Sequence, residues 1–226
     1  MILEVSDAVV AYGSAVAVDR VSFSVEAGGM VALVGPNGAG KTSLVNAISG
    51  LVPLRSGAIT RGGRVAQVPE GRQMFGELTV EDNIRLGGWK SGERDPEPMY
   101  ELFPDLRERR SQQSATLSGG QQQMVSIARA LMAKPELLVI DELSLGLAPL
   151  IVEDLARHLS VINESQGTAI LLIEQEVGLA LRLCERALVM EAGRIVLDGT
   201  TAELTESDEL SALYLGGTTD EGKAGE

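Results

Sequence analysis

Apolar residues follow two patterns along this chain, and both predict β-strands. Val21-Ser22-Phe23-Ser24-Val25 alternates apolar and polar positions, which is typical of a strand with one buried face. Continuous apolar runs at 30–34 and 137–140 are typical of strands buried on both faces. Further buried strands are predicted at 168–173 and 186–191. We read residues 1–34 as a mainly β region that ends in the first fully buried strand.

Helical segments separate the buried strands. The pattern predicts helices at 41–49, 120–133, 149–166 and 175–184. Shorter strands are expected at 58–68, around Gly62-Gly63, and at 194–198, a hairpin partner joined through Ala192-Gly193. Strand–helix alternation of this kind indicates the α/β class, with a mainly parallel sheet covered by helices.

The middle of the chain has a different composition. Residues 70–117 carry more charge, helical patterns at 79–87 and 97–103, and four breakers, Gly92, Pro96, Pro98 and Pro104. We interpret this segment as a mostly helical subdomain inserted into a single domain, whose core comprises about 1–69 and 118–215. The small, polar stretch 216–226 is predicted to be disordered.

Charge and cysteine content narrow the function classes. The chain has 32 acidic and 19 basic residues, a net charge of −13, which argues against a nucleic-acid partner. Its single cysteine, Cys184, excludes an intrachain disulfide, is expected to be a core thiol, and fits a cytosolic location. We find no signal peptide and no apolar run of the ~20 residues that span a bilayer. Any transmembrane pathway would therefore be formed by another chain.

A phosphate-binding loop lies between the first buried strand and the first predicted helix. Gly35-Pro36-Asn37-Gly38-Ala39-Gly40-Lys41-Thr42 matches G-x-x-x-x-G-K-[ST] at every fixed position. Glycines let backbone N–H groups turn toward phosphate oxygens, and the helix directs its positive end at the same anion. We expect Lys41 to bind the β- and γ-phosphates, Thr42 to ligate Mg²⁺, and Ser43 to complete the loop. A Gly-rich turn with a chance lysine is the less favoured reading.

Two carboxylates follow the buried strand Leu137-Leu138-Val139-Ile140. In open α/β sheets, ligands bind at the carboxyl ends of the strands. Asp141 is expected to hold Mg²⁺ through water, and Glu142 to polarise the attacking water as general base. Alone, the pair could equally be solvated loop carboxylates, but the phosphate loop favours the catalytic interpretation.

A second candidate anion site opens the helix near residue 120. Leu117-Ser118-Gly119-Gly120-Gln121 places a serine and two glycines at a helix start. In isolation, a helix N-capped by Ser118 would be the better interpretation. One chain would otherwise carry two phosphate-binding surfaces.

These three motifs together resemble those of ABC ATPases, in the same order and spacing and over nearly the whole chain. The resemblance implies a phosphate-loop NTPase core with an N-terminal antiparallel β subdomain and an inserted helical subdomain. It also implies a head-to-tail dimer, in which ATP lies between the phosphate loop of one subunit and the Ser118–Gln121 region of the other. Tyr12 matches the aromatic residue that stacks on adenine, although an ordinary strand tyrosine is the alternative.

Four positions depart from the usual family pattern. Glu70 occupies the place of a glutamine that ligates Mg²⁺, and Gln175 the place of a histidine that contacts the γ-phosphate. Leu143 and Glu176 replace a proline and an asparagine. The only histidine, His158, lies in a predicted helix and is expected to be a surface or helix-packing residue.

Three segments, 69–72, 144–149 and 214–217, resemble one of the two ATPases of branched-chain amino-acid importers, which typically carry glutamine in place of the histidine. The resemblance implies a second ATPase chain, membrane permease chains and, indirectly, an extracytoplasmic solute-binding protein. The chain would then lie on the inner face of the cell membrane.

Three alternatives stay open. The first is an importer ATPase for another small solute, such as urea or an amide. The second is a soluble ABC protein acting on ribosomes or DNA. The third is a nucleotide-binding regulatory subunit with weak hydrolysis, because glutamine cannot carry charge or shuttle a proton. Because Glu142 is present, we expect hydrolysis to survive.

Overall fold

The computed structural model describes residues 1–207 and 210. The fold contains two β-sheets, and residues of both contribute to one apolar cluster. The motif at 214–217 and the tail at 216–226 lie outside the described residues. Within the part that is described, none of the helices has the length and apolar character needed to cross a bilayer.

The smaller sheet comes mostly from the start of the chain. Its three antiparallel strands are ordered β2-β1-β4, with β1 at Leu3–Tyr12, β2 at Ala15–Val25 and β4 at Ser56–Arg61. Gly13, at φ 63°, makes the tight turn between β1 and β2, where the backbone enters a region that favours glycine. Within β2, Val21, Phe23 and Val25 are buried and Ser22 and Ser24 are more exposed, so the strand is half-buried, as the alternation predicts.

The larger sheet has six strands in the order β5-β6-β7-β3-β8-β9. Its strands are β3 (Met30–Val34), β5 (Val65–Val68), β6 (Leu137–Asp141), β7 (Ala169–Glu174), β8 (Arg186–Glu191) and β9 (Arg194–Thr200). The first five in spatial order are parallel, and β9 pairs antiparallel with β8 at the edge. β3, β6 and β7 are buried along their whole length. The mainly parallel sheet predicted from the apolar runs is confirmed.

Five helices lie before, between or after the strands of the large sheet in the sequence. They are α1 (Lys41–Ile48), α5 (Gly119–Leu131), α6 (Pro149–Gln166), α7 (Val177–Leu183) and α8 (Thr201–Glu206). The helix predicted at 175–184 begins two residues later, because Gln175 and Glu176 belong to the loop that follows β7.

The segment between Pro69 and Leu117 contains the other helices. They are α2 (Val80–Gly87), α3 (Glu97–Leu102), α4 (Pro104–Arg107) and a 3₁₀ turn at Ser114–Thr116. α2 packs on α5, and the fully buried Asn83 donates to the Ser114 hydroxyl at 2.8 Å. Phe103 stacks on His158 of α6 with ring centroids 4.9 Å apart, so the histidine is a packing residue as expected. The division into core and inserted subdomain stays a prediction.

The large sheet separates two apolar clusters. Alternate residues of β3 point to opposite sides, Ala32 and Val34 toward α5 and α6, Val31 and Leu33 toward α1 and the small sheet. Cys184 lies in the first cluster, and its burial raises the pKa of the thiol to about 12, so it is a core thiol. Burial on both faces makes β3, β6 and β7 a rigid platform for the loops at their carboxyl ends.

Candidate functional site

The phosphate loop connects β3 to α1 and depends on its glycines. Gly38 and Gly40 have φ of 81° and 103°, a backbone region that disfavours side chains. A Cβ on Gly40 would lie 2.2 Å from the Ala17 carbonyl oxygen, and one on Gly35 would lie 2.2 Å from the Met190 carbonyl oxygen. Only glycine fits at 35 and 40, so the loop curls closely against β2 and β8.

Gly40→Ala is expected to lower the free energy of unfolding by about 2 kcal/mol or more, because it combines backbone strain with a backbone clash. ATP affinity should fall with it. Gly38→Ala is the matched control, since its φ is positive but no atom lies within 4 Å of the added Cβ. Denaturant titration and nucleotide titration measure both effects. Equal losses in the two variants would contradict the steric argument.

A cavity of 190 Å³ opens at this loop. Its lining comes from the phosphate loop, from β2 and from two acidic positions: Ala17, Asn37, Gly38, Gly40, Lys41, Thr42, Ser43, Glu70 and Glu142. Eight of the residues that the motifs predict for nucleotide, metal and catalysis therefore share one concave surface: Asn37, Gly38, Gly40, Lys41, Thr42, Ser43, Glu70 and Glu142.

Lys41 is the buried cation of the site. Its side chain is 5% exposed, and Nζ donates to the carbonyls of Gly35 at 2.7 Å and Pro36 at 3.1 Å. Burial lowers the pKa of Lys41, although four nearby carboxylates oppose this shift: Glu142, Asp141, Glu174 and Glu70. An ammonium group inside a loop of backbone donors suits a polyanion such as a nucleotide phosphate.

Asp141 has an unsatisfied oxygen at the end of β6. It is 2% exposed, and its Oδ1 has no hydrogen-bond partner among the described residues. Burial, together with the charges of Glu70 and Glu142, raises the pKa of Asp141 to about 6. An orphaned carboxylate oxygen in a site rich in negative charge fits a divalent cation.

These residues fit a cation that is bound jointly by the protein and by phosphate oxygens, and not one that is coordinated by protein side chains alone. Among residues 1–207 and 210, no three His, Cys, Asp or Glu side chains converge to hold a metal. Mg²⁺ keeps several waters and is commonly held by one or two carboxylates together with phosphates. Asp141 and Thr42 can supply the protein part of such a site.

Mg²⁺ binding should depend on pH through Asp141. Because the pKa of Asp141 is raised to about 6, the cation must displace a proton below that pH. Apparent Mg²⁺ affinity in the presence of ATP should therefore fall by about tenfold for each pH unit below 6 and level off above it. Isothermal titration at several pH values measures this. Asp141→Asn is the control, since titration of the nucleotide is common to both proteins, and equal slopes would contradict the prediction.

Glu142 and Gln175 meet at the ends of adjacent strands. Glu142 has φ 60°, an uncommon conformation for a residue with a side chain, and its N–H donates to the Ile173 carbonyl at 3.0 Å. Gln175 Nε2 donates to Glu142 Oε1 at 2.6 Å. The carboxylate predicted to act as general base is therefore held by Gln175.

Glu174 is a site carboxylate that the motifs do not single out. It is fully buried, and it accepts hydrogen bonds from the Ser144 backbone at 3.0 Å and the Ser144 hydroxyl at 2.9 Å. Burial raises the pKa of Glu174 above its ordinary value. An acidic residue ending the apolar run 168–173, one strand away from Asp141, is the sequence signal that could have identified it.

The second motif lies at the start of α5. The Ser118 hydroxyl accepts from the Gln121 N–H at 3.4 Å, and Gln121 Oε1 accepts from the Ser118 N–H at 3.1 Å, which forms a capping box. Gly120 allows close approach to α6, since a Cβ there would lie 2.4 Å from Ile151. None of residues 118–121 lines the cavity at Lys41. The structure thus satisfies the capping interpretation, and the second candidate anion site does not line the cavity at Lys41.

Tyr12 ends β1 with half of its side chain exposed, 52%, and it does not line the cavity either. Its ring is therefore available to a nucleobase, but the structure does not bring it together with the phosphate loop.

The loop after β5 is strained and clamped. Arg72 and Gln73 have φ of 66° and 40°, and Arg129 donates to both of their carbonyls at 3.0 Å. The Arg72 guanidinium in turn donates to the Leu145 carbonyl at 3.1 Å. A strained loop held in this way connects the neighbourhood of Glu70 to the segment after Glu142.

Comparison with known proteins identifies the family. A sequence profile described as ABC transporter matches residues 18–144, more than half of the chain. The chain belongs to the ABC transporter family. The chain is accordingly an ABC transporter ATP-binding subunit, which hydrolyses ATP to power transport.

Individual ABC transporter proteins extend the likeness over almost the full length. The high-affinity branched-chain amino acid transport ATP-binding protein BraG of Pseudomonas aeruginosa is 41% identical over 224 residues, 91% of this chain and 96% of that protein. The lipopolysaccharide export system ATP-binding protein LptB of Escherichia coli K12 is 31% identical over 91% of this chain and 93% of its own. A solved ATP-binding subunit of an ABC transporter superposes with a TM-score of 0.82 at 31% identity, covering 96% of this chain and 99% of its own. The ABC ATPase fold predicted from the motifs is confirmed.

Proposed function

We propose that this chain is the ATP-hydrolysing subunit of an importer for branched-chain or similar small amino acids. The observation that supports the amino-acid assignment is 41% identity to a branched-chain amino-acid transport ATPase along nearly the whole chain. The 31% identical relative named for lipopolysaccharide export shows that the cassette alone does not fix the solute. A test of the solute assignment must therefore compare several solutes.

Each nucleotide would be bound by two cassettes. The phosphate loop and residues 118–121 form separate surfaces in one chain, and both have the backbone donors that bind phosphate. A second ABC ATPase chain, identical or different, would bring its Ser118–Gln121 equivalent over the Lys41 cavity. Binding of ATP would then close the dimer, and loss of the γ-phosphate would open it.

Roles within the site follow from the contacts. Lys41 would bind the β- and γ-phosphates through Nζ, with the loop from Gly35 to Ser43 donating backbone N–H groups and Tyr12 stacking on adenine. Mg²⁺, held by Thr42, Asp141 and Glu70, would neutralise developing charge on the phosphates. Glu142 would accept a proton from the attacking water, and Gln175 would orient that carboxylate through its 2.6 Å hydrogen bond.

A groove between the end of α1 and β5 suits a permease. It has a volume of 340 Å³ and is lined by Asn46, Ser49, Leu51, Val65, Gln67, Pro69 and Gln73. Leu51 and Phe75 expose 70% and 56% of their side chains nearby in the chain, where exposed apolar groups indicate a contact surface. The strained loop at Arg72 borders this groove and reaches Leu145, so the groove is physically connected to the site. The chain would therefore act at the cytoplasmic face of the membrane, docked on a permease.

Reconstitution tests the proposal. The chain is purified from membranes with the permease and partner ATPase that accompany it, and phosphate release is measured in liposomes with the solute-binding protein. Leucine, isoleucine or valine should stimulate ATP hydrolysis, whereas urea and short amides should not. Stimulation by urea or an amide alone would replace the solute assignment. Co-purification with ribosomes, in the absence of any permease, would overturn the transport assignment.

A further inference from the structure

Glu174 is a buried carboxylate with no assigned role in binding nucleotide, binding metal or activating water. It ends β7 with no exposed surface, one residue before Gln175. Both of its oxygens accept from one residue, Ser144, which lies two positions after Glu142. The contact therefore joins the segment that follows Glu142 to the residue that precedes Gln175.

Three cross-strand contacts hold this pair of segments in register. The Glu142 N–H donates to Ile173 at 3.0 Å, Gln175 donates to the Glu142 carboxylate at 2.6 Å, and Glu174 accepts twice from Ser144. Glu142 has φ 60°, and strained residues of this kind persist where the surrounding structure over-determines them. The Glu174–Ser144 contact supplies two of the four hydrogen bonds that hold the segment around Glu142 in place.

An ionised carboxylate at position 174 is energetically unfavourable. Asp141 and Glu142 are acidic and close to it, and burial disfavours the charged form. The advantage of the ionised Glu174 carboxylate is that its two oxygens can accept from an N–H and an O–H at once, since neither oxygen carries a proton. A glutamine keeps one acceptor oxygen and turns the other position into a donor.

We infer that Glu174 is a positioning residue for ATP hydrolysis, which fixes the Glu142 carboxylate against Gln175 by anchoring Ser144. The inference rests on the proposed role of Glu142 as general base. Glu174 does not line the cavity at Lys41, and both of its side-chain hydrogen bonds go to Ser144, so its positioning effect passes through the Glu142–Ser144 segment.

Steady-state kinetics of the purified full chain test the inference. Glu174→Gln should lower kcat by about tenfold or more, because small misplacements of a catalytic group have effects of this size, and should change KM for ATP by less than about twofold. Ser144→Ala should lower kcat by a few-fold in the same way, and Ser144→Thr, which keeps the hydroxyl, should restore it. Ser160→Ala is the matched control, a partly buried serine of α6 whose hydroxyl donates to the Ala156 carbonyl, and it should leave kcat unchanged.

The decisive comparison is made in a Glu142→Gln background. If Glu174 acts through Glu142, Glu174→Gln should not lower the residual rate further. A further tenfold loss there would overturn the inference, as would a rise in KM without a fall in kcat. Normal hydrolysis by Glu142→Gln alone would instead overturn the proposed role of Glu142, so the two failures are distinguishable. If Glu174→Gln does not fold, the Ser144→Ala and Ser144→Thr pair gives the same test.

Discussion

Glu142→Gln is expected to lower phosphate release by roughly 100- to 1,000-fold, the range associated with loss of a general base. ATP binding should survive, because the substitution keeps the shape of the side chain and leaves the phosphate loop intact. Since hydrolysis is what would open the closed dimer, an ATP-bound dimer should accumulate. Phosphate-release assays and size-exclusion chromatography with Mg²⁺ and ATP measure the two effects.

Glu164→Gln provides the control for this substitution. Glu164 is exposed on α6, and the same chemical change there should alter neither hydrolysis nor oligomeric state. If Glu142→Gln hydrolyses ATP at the rate of the unaltered protein, a different group activates the water. If both proteins hydrolyse ATP at the same very low rate, the regulatory-subunit alternative is favoured instead.

Lys41→Ala should weaken ATP binding by on the order of 100-fold and remove measurable hydrolysis. Lys41 places one buried ammonium among the loop carbonyls, and charge-assisted hydrogen bonds to two phosphates contribute about 1.5–3 kcal/mol each. Fluorescent-nucleotide titration and circular dichroism separate lost binding from lost folding.

The matched substitution for Lys41→Ala is Lys90→Ala. Lys90 is an exposed lysine outside the cavity lining, so its removal should leave nucleotide affinity unchanged. ATP binding by Lys41→Ala at the affinity of the unaltered chain would show that the cavity at the loop is not the nucleotide site.

The sequence predicts well those features that depend on local chemistry. The phosphate loop follows from glycines needed at 35, 38 and 40, and the α5 cap follows from Ser118 and Gln121, three residues apart. Buried strands follow from continuous apolar runs, because a strand covered on both faces has no polar side to alternate with. Asp141 and Glu142 follow because the ends of such strands form the ligand edge of the sheet.

Features that depend on contacts between distant segments do not follow from the sequence. The Glu174–Ser144 contact spans thirty residues, and the Arg129 clamp on Arg72 spans fifty-seven. Neither pair has a spacing rule, because strand order and helix packing bring the partners together. The contact of Gln175 with Glu142 is likewise a long-range one, and Gln175 lies outside α7, which starts at Val177 and not at 175.

A second cassette is expected to complete each nucleotide site. A structure of the Glu142→Gln protein with Mg²⁺ and ATP tests this most directly. We expect a dimer in which the Ser118 and Gly119 region of one chain lies within hydrogen-bonding distance of the γ-phosphate bound at Lys41 of the other. A complex in which every γ-phosphate is far from Gly119 of either chain would contradict it.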